Sequence, residues 1–215
     1  NNVFFSACPR GEKEIWVSLL EKAYAKCFGS YNDTKGGDPV NAMRDLTGAP
    51  CKKLLDLEKN SDKKWRQLVE GLNLNMPCTC YTRPGADTEE KDKTGIVLGH
   101  AYALLDARDV TDSRGRRDRI VKVRNPWGEW EWNGDWGDNS DRWTPELRRE
   151  LDVQTRDDGM FWMPWDRMAD YYDGICICKV NINFLYNAVY VNQSKENNVS
   201  LIRVGIPKKG NYCIS

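Results

Sequence analysis

Two neighbouring stretches decide the fold of this chain: GIVLGHAYALLDARDV and, after a charged turn, RIVKVRNPWGEWEWNGDWGD, which together span residues 95–138. Side chains in both stretches alternate between two faces, a pattern that predicts β-strands over residues 96–110 and 119–125. The short polar connection between them predicts an antiparallel hairpin. His100, the only histidine of the 215 residues, lies on the first predicted strand, and Asn125 ends the second. The hairpin brings these two side chains together if they lie at corresponding strand ends.

The rest of the chain is predicted to add helices and further strands to this hairpin. Apolar residues at intervals of three and four predict the helices, and two helices begin with a capping Asp or Thr followed by proline. Five helices are predicted: residues 12–28, Pro39 to Thr47, a helix capped by Ser61, residues 144–152 and residues 164–172. The further predicted strands are residues 76–82 and 174–180. The expected fold class is therefore α+β, a twisted antiparallel sheet with flanking helices.

The composition changes near residue 182. Beyond this point FLYNAVYVNQ and SLIRVGIP have the pattern of strands joined by a polar turn. We therefore expect one domain over residues 1–182 and a separate segment over residues 183–215. No run approaches the ~20 apolar residues of a membrane span, and no basic-then-apolar leader opens the chain, so a soluble protein is expected.

Charge and cysteine content narrow the class of partner and the compartment. Lys+Arg and Asp+Glu both number 32, which gives no overall field towards nucleic acid. The basic run RGRRDR contains an acid, which favours a solvated turn over a nucleic-acid patch. Eight cysteines include Cys78/Cys80 and Cys176/Cys178, a spacing that suits side chains on one strand face. The cysteines favour reduced thiols and a cytoplasmic protein; zinc binding is the alternative, and neither the spacing nor the single histidine favours it.

His100 and Asn125 are the candidate catalytic residues. An asparagine carbonyl that accepts from one imidazole N–H leaves the other nitrogen to pair with a thiol, and it adds no charge. Pro126 ends the strand directly after Asn125, and Trp127 is placed to shield a His–Asn hydrogen bond from water, where that bond is stronger. The competing interpretation is a structural histidine near an ordinary Asn-Pro-Trp-Gly turn, and spacing alone leaves both open.

Several long blocks extend the pattern and carry a family resemblance. In chain order they are LLEKAYAKCFGSY, GG, DLTG, GHAYALLDARDV, VKVRNPWGEWEWNGDWGDNS, WTPELRREL and DDGMFWMPWDRM, spread from about residue 11 to 180. Together they resemble the calpains, cysteine proteases with a papain-like site split between two subdomains. The resemblance implies that His100 is the general base, that Asn125 orients it and that Trp127 shields their hydrogen bond. It also implies that residues 87–95 form a gating loop beside the substrate cleft.

The resemblance places the nucleophile upstream, in a block where Gln, Gly, Asp and Cys precede Trp. None of the eight cysteines has such neighbours. We therefore expect the His/Asn subdomain of a larger calpain-like endopeptidase, inactive by itself, with residues 183–215 as a linker and the start or remnant of a following β-sandwich domain. The expected partners are protein substrates, the Cys-bearing subdomain of the same polypeptide and a regulatory subunit. The alternative is a non-catalytic, calpain-derived regulatory or calcium-binding module.

Calcium is the expected cofactor, because the segment after Asn125 is rich in acids on a Gly/Trp backbone and hard cations take oxygen ligands from such loops. The resemblance implies that Glu131, Asp138 and Asp158 hold one calcium ion together with the backbone carbonyl of Arg156. Met160 stands where calpains often have a further acid. A solvated acidic loop without metal is the competing interpretation.

Overall fold

The computed structural model describes residues 15–57, 61–84 and 93–180. These residues form five α-helices, a 3-10 turn and six strands, consistent with the predicted α+β class. In chain order the elements are α1 (Trp16–Phe28), the 3-10 turn (Asn32–Thr34), α2 (Pro39–Thr47), β1 (Cys51–Leu55), α3 (Asp62–Asn73), β2 (Cys78–Thr82), β3 (Ala101–Thr111), β4 (Arg117–Arg124), α4 (Pro145–Glu150), β5 (Met160–Pro164), α5 (Trp165–Tyr171) and β6 (Tyr172–Cys178). The strands form one antiparallel sheet in the order β1-β6-β2-β3-β4-β5.

The β3–β4 hairpin is at the centre of the predicted site, and its start differs from the prediction. Strand β3 begins at Ala101 rather than at residue 96, so His100 lies just before the strand and not on it. The chain turns here because Gly99 has a φ of +67°, outside the range of a strand. Strand β4 ends at Arg124, and Asn125 follows it directly. The alternation that resembled a longer strand at residues 96–100 comes from a turn whose Ile96 and Val97 are buried.

Strand β1 was not predicted. It pairs with β6 at the edge of the sheet, where Cys51 lies opposite Cys178. Its sequence CKKLL has no alternation, because the exposed Lys52 and Lys53 are adjacent. The strand exists because the neighbouring β6 supplies its hydrogen-bond partners, which the local sequence does not encode.

The main hydrophobic core lies on one face of the sheet, against α3 and α5. The predicted inner face of α3 is confirmed, since Trp65 and Leu68 are buried and Val69 and Leu72 pack beside them. A smaller cluster contains three tryptophans. Its buried members are Val110, Ile120, Trp136, Trp143, Leu151 and Trp162. Most of the tryptophans therefore pack in a core.

The remaining predicted helices are confirmed with small shifts at their ends. Asp38 caps α2 and Thr144 caps α4, as their Pro-containing sequences predicted. The apolar stripe of α1 is largely exposed, with Trp16 at 59% and only Ala25 buried within the helix. No helix in the described part of the chain is long and apolar enough to cross a membrane. The boundary near residue 182, the segment 183–215 and most of the expected gating loop lie outside the described residues.

Candidate active site

The backbone of His100 is fixed by the end of strand β2. Thr82 donates its backbone N–H to the carbonyl of His100 at 2.9 Å, and the Thr82 hydroxyl accepts the N–H of His100 at 2.9 Å. Tyr102, the second residue of β3, uses its hydroxyl to accept the N–H of Val97 at 2.8 Å. Its ring lies edge-on to the imidazole, with centroids 4.9 Å apart. The turn that carries His100 is therefore held at both ends.

Asn125 lies against the imidazole. Its Oδ1 is 3.0 Å from Nε2 of His100 and also accepts the N–H of Trp127 at 3.1 Å. Its Nδ2 donates to the carbonyl of Glu129 at 2.8 Å and, at 3.4 Å, to that of Trp130. All polar atoms of this fully buried amide therefore have partners. An amide oxygen only accepts, so Nε2 of His100 carries a proton, and in the neutral imidazole Nδ1 then keeps a lone pair.

Trp127 covers the imidazole on one side. The two rings are 4.2 Å apart with an interplanar angle of 39°, and the indole itself is 43% exposed. Trp130 meets Trp127 edge-on at 5.6 Å. Trp127 therefore lies directly against the imidazole that contacts Asn125, and Trp130 lies against Trp127.

A glycine from a distant part of the chain completes the support of Asn125. The N–H of Asn125 donates to the carbonyl of Gly159 at 2.7 Å. Gly159 has a φ of +80°, and a Cβ at this position would lie 2.6 Å from the carbonyl oxygen of Asn125. Only glycine fits so closely against this backbone in that conformation. The segment before β5 therefore sets where Asn125 sits.

The acidic residues proposed as calcium ligands lie next to this segment. Oε1 of Glu131 accepts the N–H groups of Asp158 and Gly159, each at 2.8 Å. Burial, together with the nearby charge of Asp138, raises the pKa of Glu131 to about 7. Burial also raises the pKa of Asp138, and Asp158 adds to that effect. A bound cation would stabilise the ionised form of these clustered carboxylates, which repel one another.

The donor types fit calcium, but their present orientation does not form a cage. Within the described residues, no three acidic, histidine or cysteine side chains converge as a metal site. The guanidinium of Arg156 pairs with Asp158, and the N–H of Arg156 donates to Asp138 at 3.3 Å. The Arg156 side chain therefore competes for an oxygen that a cation would need. Glu131, Asp138 and Arg156 border one cavity of about 640 Å³.

The end of the expected gating loop is attached to this acidic region. The N–H of Asn133 donates to the carbonyl of Thr94 at 3.1 Å, and its side-chain amide donates to Lys93 at 2.9 Å. Gly95, with a φ of +89°, packs so closely that an added Cβ would lie 1.9 Å from the carbonyl oxygen of Glu131. A contact this close allows no side chain, so the sequence requires glycine here.

Comparison with known proteins identifies the family. A model of the calpain family cysteine proteases matches residues 1–179. The chain belongs to the calpain family. Human calpain-9 is 36% identical over 172 residues, which is 78% of this chain and 25% of the relative. The maize calpain-type cysteine protease DEK1 is 35% identical over 182 residues, 81% of this chain and 8% of the relative. Calpain clp-1 of Caenorhabditis elegans is 35% identical over 172 residues, 78% of this chain and 22% of the relative.

This calpain chain thus spans a quarter or less of the length of the relatives compared, and several of its described cysteines have raised pKa values. Cys27, Cys51, Cys78, Cys80, Cys176 and Cys178 are free thiols. Burial raises the pKa of Cys78 to about 12 and that of Cys176 to about 11, the opposite of what a nucleophilic thiolate needs. Burial likewise raises the pKa of Cys51, where the neighbouring Cys178 adds to the effect.

The central residues of this candidate site were predicted from the sequence, and the residues that support them were not. His100, Asn125 and Trp127 come together as one group. These supports are Thr82, Tyr102, Trp130, Gly159 and also Asp157, which accepts the backbone N–H of Trp130 at 2.9 Å. Tyr102 had a signal, because it lies two residues from His100 on the predicted strand face. The contacts of residues 157–159 with the hairpin have no local signature in the sequence.

Proposed function

We propose that this chain carries the His/Asn half of the active site of a calpain-like cysteine endopeptidase, which hydrolyses internal peptide bonds by acyl transfer. His100 is the general base, Asn125 fixes its tautomer and orientation, and the nucleophilic cysteine comes from another subdomain of the same polypeptide. The 3.0 Å contact between Nε2 of His100 and Oδ1 of the fully buried Asn125 carries the proposal. The chain alone is inactive in this proposal.

The contact leaves Nδ1 of His100 as the proton acceptor. A thiol presented to Nδ1 transfers its proton there and becomes the thiolate that attacks the peptide carbonyl. His100 then gives the proton to the departing amine as the C–N bond breaks and the acyl-enzyme forms. In the second half of the reaction His100 takes a proton from water as the water oxygen attacks the thioester carbonyl. The C–S bond then breaks, and His100 returns the proton to the departing thiolate, which restores the thiol. Asn125 remains neutral throughout and keeps the ring in one orientation.

Trp127 acts on the same hydrogen bond through solvent exclusion. Its indole lies 4.2 Å from the imidazole and removes one side of the ring from water. A hydrogen bond in a less polar surrounding is electrostatically stronger, so the shield helps to hold the tautomer. Cleavage of protein substrates requires this geometry to meet the cysteine-bearing subdomain, which is the principal partner proposed.

Casein hydrolysis by the full-length parent tests the proposal. We expect His100→Ala to lower kcat/KM by at least ~10²-fold, because it removes the general base. Asp109→Ala is the matched control, since this exposed carboxylate on β3 pairs with Arg119 away from the site. Equal activity of the wild type and His100→Ala contradicts the role of His100.

A non-catalytic regulatory or calcium-binding module is the second candidate. It requires no nucleophile, and the thiols of Cys78 and Cys176, whose pKa values burial raises, do not supply one. The coding sequence upstream of Asn1 discriminates the two candidates. A Gln…Cys-Trp block there supports the protease, and an upstream reading frame without it removes the proposed reaction.

We also propose that calcium regulates the parent in the cytoplasm, alongside a regulatory subunit, and binds at Glu131, Asp138, Asp158 and the carbonyl of Arg156. Clustered oxygen donors and the raised pKa of Glu131 support this site. A bound ion would supply positive charge that relieves the repulsion among the acids. The missing acid at Met160 and the Arg156–Asp158 pair act against it.

Replacement of the Arg156 side chain tests this site sharply. Arg156→Ala keeps the backbone carbonyl and frees Asp158, so calcium should bind more tightly, by about fivefold for one surface ion pair removed. Glu131→Ala should abolish binding. The control Arg108→Ala removes a similar exposed pair with Asp106 and should change nothing. Calorimetric titration measures all three, and unchanged affinity in both Arg156→Ala and Glu131→Ala contradicts the site.

A further inference from the structure

Trp130 adopts a backbone conformation that tryptophan rarely takes. Its φ is +62°, in the left-handed region that bulky L-residues avoid. Among the described residues, four other non-glycine residues share a positive φ, and three of them are Asp or Asn, which tolerate it best. The fourth, Trp136, is fully buried and donates its indole N–H to Asp118 at 2.9 Å. Trp130 is only partly buried, so core packing accounts less well for its conformation.

Two polar groups hold Trp130 in this conformation. Oδ1 of Asp157 accepts its backbone N–H at 2.9 Å. Nδ2 of Asn125 donates to its carbonyl at 3.4 Å and to the carbonyl of Glu129 at 2.8 Å. A strained conformation that surrounding groups maintain beside a candidate site points to a role in that site.

The same turn decides which way the Asn125 amide faces. Nδ2 of Asn125 donates to the carbonyls of Glu129 and Trp130 in this turn, and Oδ1 therefore faces His100. A reversed amide would present N–H groups to His100, and Nε2 would then have to accept rather than donate. The proton would move to Nδ1, the nitrogen that must be free to act as base. The position of the turn therefore controls the tautomer of His100.

The side chain of Trp130 has a second effect at the same site. Its ring meets Trp127 edge-on at 5.6 Å with an interplanar angle of 76°. Trp127 in turn lies over His100 at 4.2 Å. The Trp130 ring therefore borders the Trp127 indole, which is 43% exposed to solvent.

We propose that Asp157 and Trp130 are positioning residues for His100: Asp157 holds the left-handed turn whose carbonyls orient the Asn125 amide, and the Trp130 ring holds Trp127 over the imidazole. This inference rests on the proposed catalytic role of His100, but its geometry is testable without activity. Neither residue touches a substrate or the imidazole in this proposal, so both act only through Asn125 and Trp127.

The single histidine makes the test direct, because every imidazole signal of the 215-residue chain belongs to His100. We would measure the ratio of the two neutral tautomers from the ring nitrogen shifts by NMR, with chelator present to remove any effect of calcium. In the wild type the Nε2–H tautomer should dominate. Asp157→Ala should reduce its ratio to the other tautomer by about fivefold, the effect expected from one hydrogen bond.

The matched controls separate this role from general stability. Asp157→Asn keeps an oxygen acceptor for the Trp130 N–H and should retain the wild-type ratio, and it also serves if Asp157→Ala fails to fold. Asp109→Ala removes another exposed carboxylate and should leave the ratio unchanged. Two results would overturn the role of Asp157. In the first, the tautomer ratio of Asp157→Ala is within twofold of that of Asp109→Ala. In the second, Asp157→Asn lowers the ratio as much as Asp157→Ala does.

Trp130→Gly tests the role of the Trp130 ring separately from the role of the turn. Glycine accepts a positive φ freely, so the turn and the tautomer ratio should persist. The upfield shift that the Trp127 indole imposes on the ring protons of His100 should fall, because the indole is no longer held. Tyr171→Ala, a half-buried aromatic deletion at the same core, is the control. An unchanged ring-proton shift in Trp130→Gly overturns the role of the ring. Loss of protease activity in the parent, by contrast, bears only on the proposed function.

Discussion

The two ends of strand β4 each carry a buried polar side chain, and the two are used differently. Asp112 lies in the turn before β4, and Asn125 follows its last residue. The backbone N–H groups of Arg114 and Arg116 donate to Asp112 at 2.9 Å, and the side chains of Arg116 and Arg142 surround its other oxygen. All of these partners of Asp112 stabilise the turn. Asn125 has a comparable set of partners, but one of its two contacts at Oδ1 is an imidazole, a ring whose other nitrogen can act as a base.

Burial and full hydrogen bonding therefore do not distinguish a supporting group from a functional one. The distinction lies in what the partner can still do after the bond is made. An arginine bound to Asp112 has no further chemistry, because its guanidinium does not lose a proton. His100 bound to Asn125 retains a basic nitrogen. Activity, the free energy of unfolding and its pH dependence should therefore differ between changes at the two ends of β4.

Activity should separate the two ends most strongly. Asn125→Ala in the full-length parent should lower kcat/KM by about 10²-fold, because the imidazole loses its fixed tautomer and orientation. Asp112→Ala should leave kcat/KM within about twofold at a temperature where both variants are folded, since it alters no group that positions His100. Initial rates of casein cleavage, with folding checked by circular dichroism, measure both. Similar losses of activity in the two variants would contradict the different roles of Asn125 and Asp112.

Two glycines test the backbone at the same two ends with a matched change. Gly159 and Gly115 have φ values of +80° and +79°, so alanine strains both equally. At Gly115 no described atom lies within 4 Å of an added Cβ, whereas at Gly159 that Cβ meets the carbonyl oxygen of Asn125 at 2.6 Å. Gly115→Ala should cost about 1 kcal/mol of unfolding free energy. Gly159→Ala should cost ~1–3 kcal/mol more.

Denaturant titration of the two glycine variants gives the free energies of unfolding. The Gly159→Ala variant should also change the NMR signals of His100, because Asn125 must move to admit the methyl group. Gly115→Ala, at the far end of the hairpin, should leave those signals in place. Equal free-energy losses in the two variants would mean that the close approach at Asn125 relaxes without strain.

The sequence predicted the elements with local periodicity and missed those that depend on distant partners. The hairpin, α2, α3 and α4 follow from alternation, helical spacing and Pro-containing caps. Strand β1 has no alternation and forms only because β6 lies beside it. The contact of Gly159 with Asn125 joins residues 34 positions apart, and no pattern in either segment announces it. His100 and Asn125 were recognisable by residue type, but their supports were set by the tertiary fold.

The smallest effect concerns pH and arises at the structural end of β4. Burial alone raises the pKa of Asp112, but the hydrogen bonds from Arg116 and Arg114 outweigh it and hold the pKa well below its usual value of 3.8. The folded state thus binds this proton less tightly than the unfolded state. The stability that Asp112 contributes is therefore complete above that usual value and is lost as the pH falls below it.

Asp112→Asn, which cannot ionise, makes this contribution measurable. The difference in thermal midpoint between the wild type and Asp112→Asn should be constant from neutral pH down to about pH 5 and shrink steadily at lower pH, because the wild type alone loses a native-state charge. Asp109→Asn, which changes an exposed carboxylate of the same hairpin, is the control, and its difference in thermal midpoint should shrink less because surface ion pairs contribute little. Asn125 carries no charge, so substitution there changes the midpoint by an amount that does not vary through the same range. If the difference in thermal midpoint between the wild type and Asp112→Asn stayed constant as the pH fell below 3.8, the arginine partners would not stabilise the ionised form of Asp112.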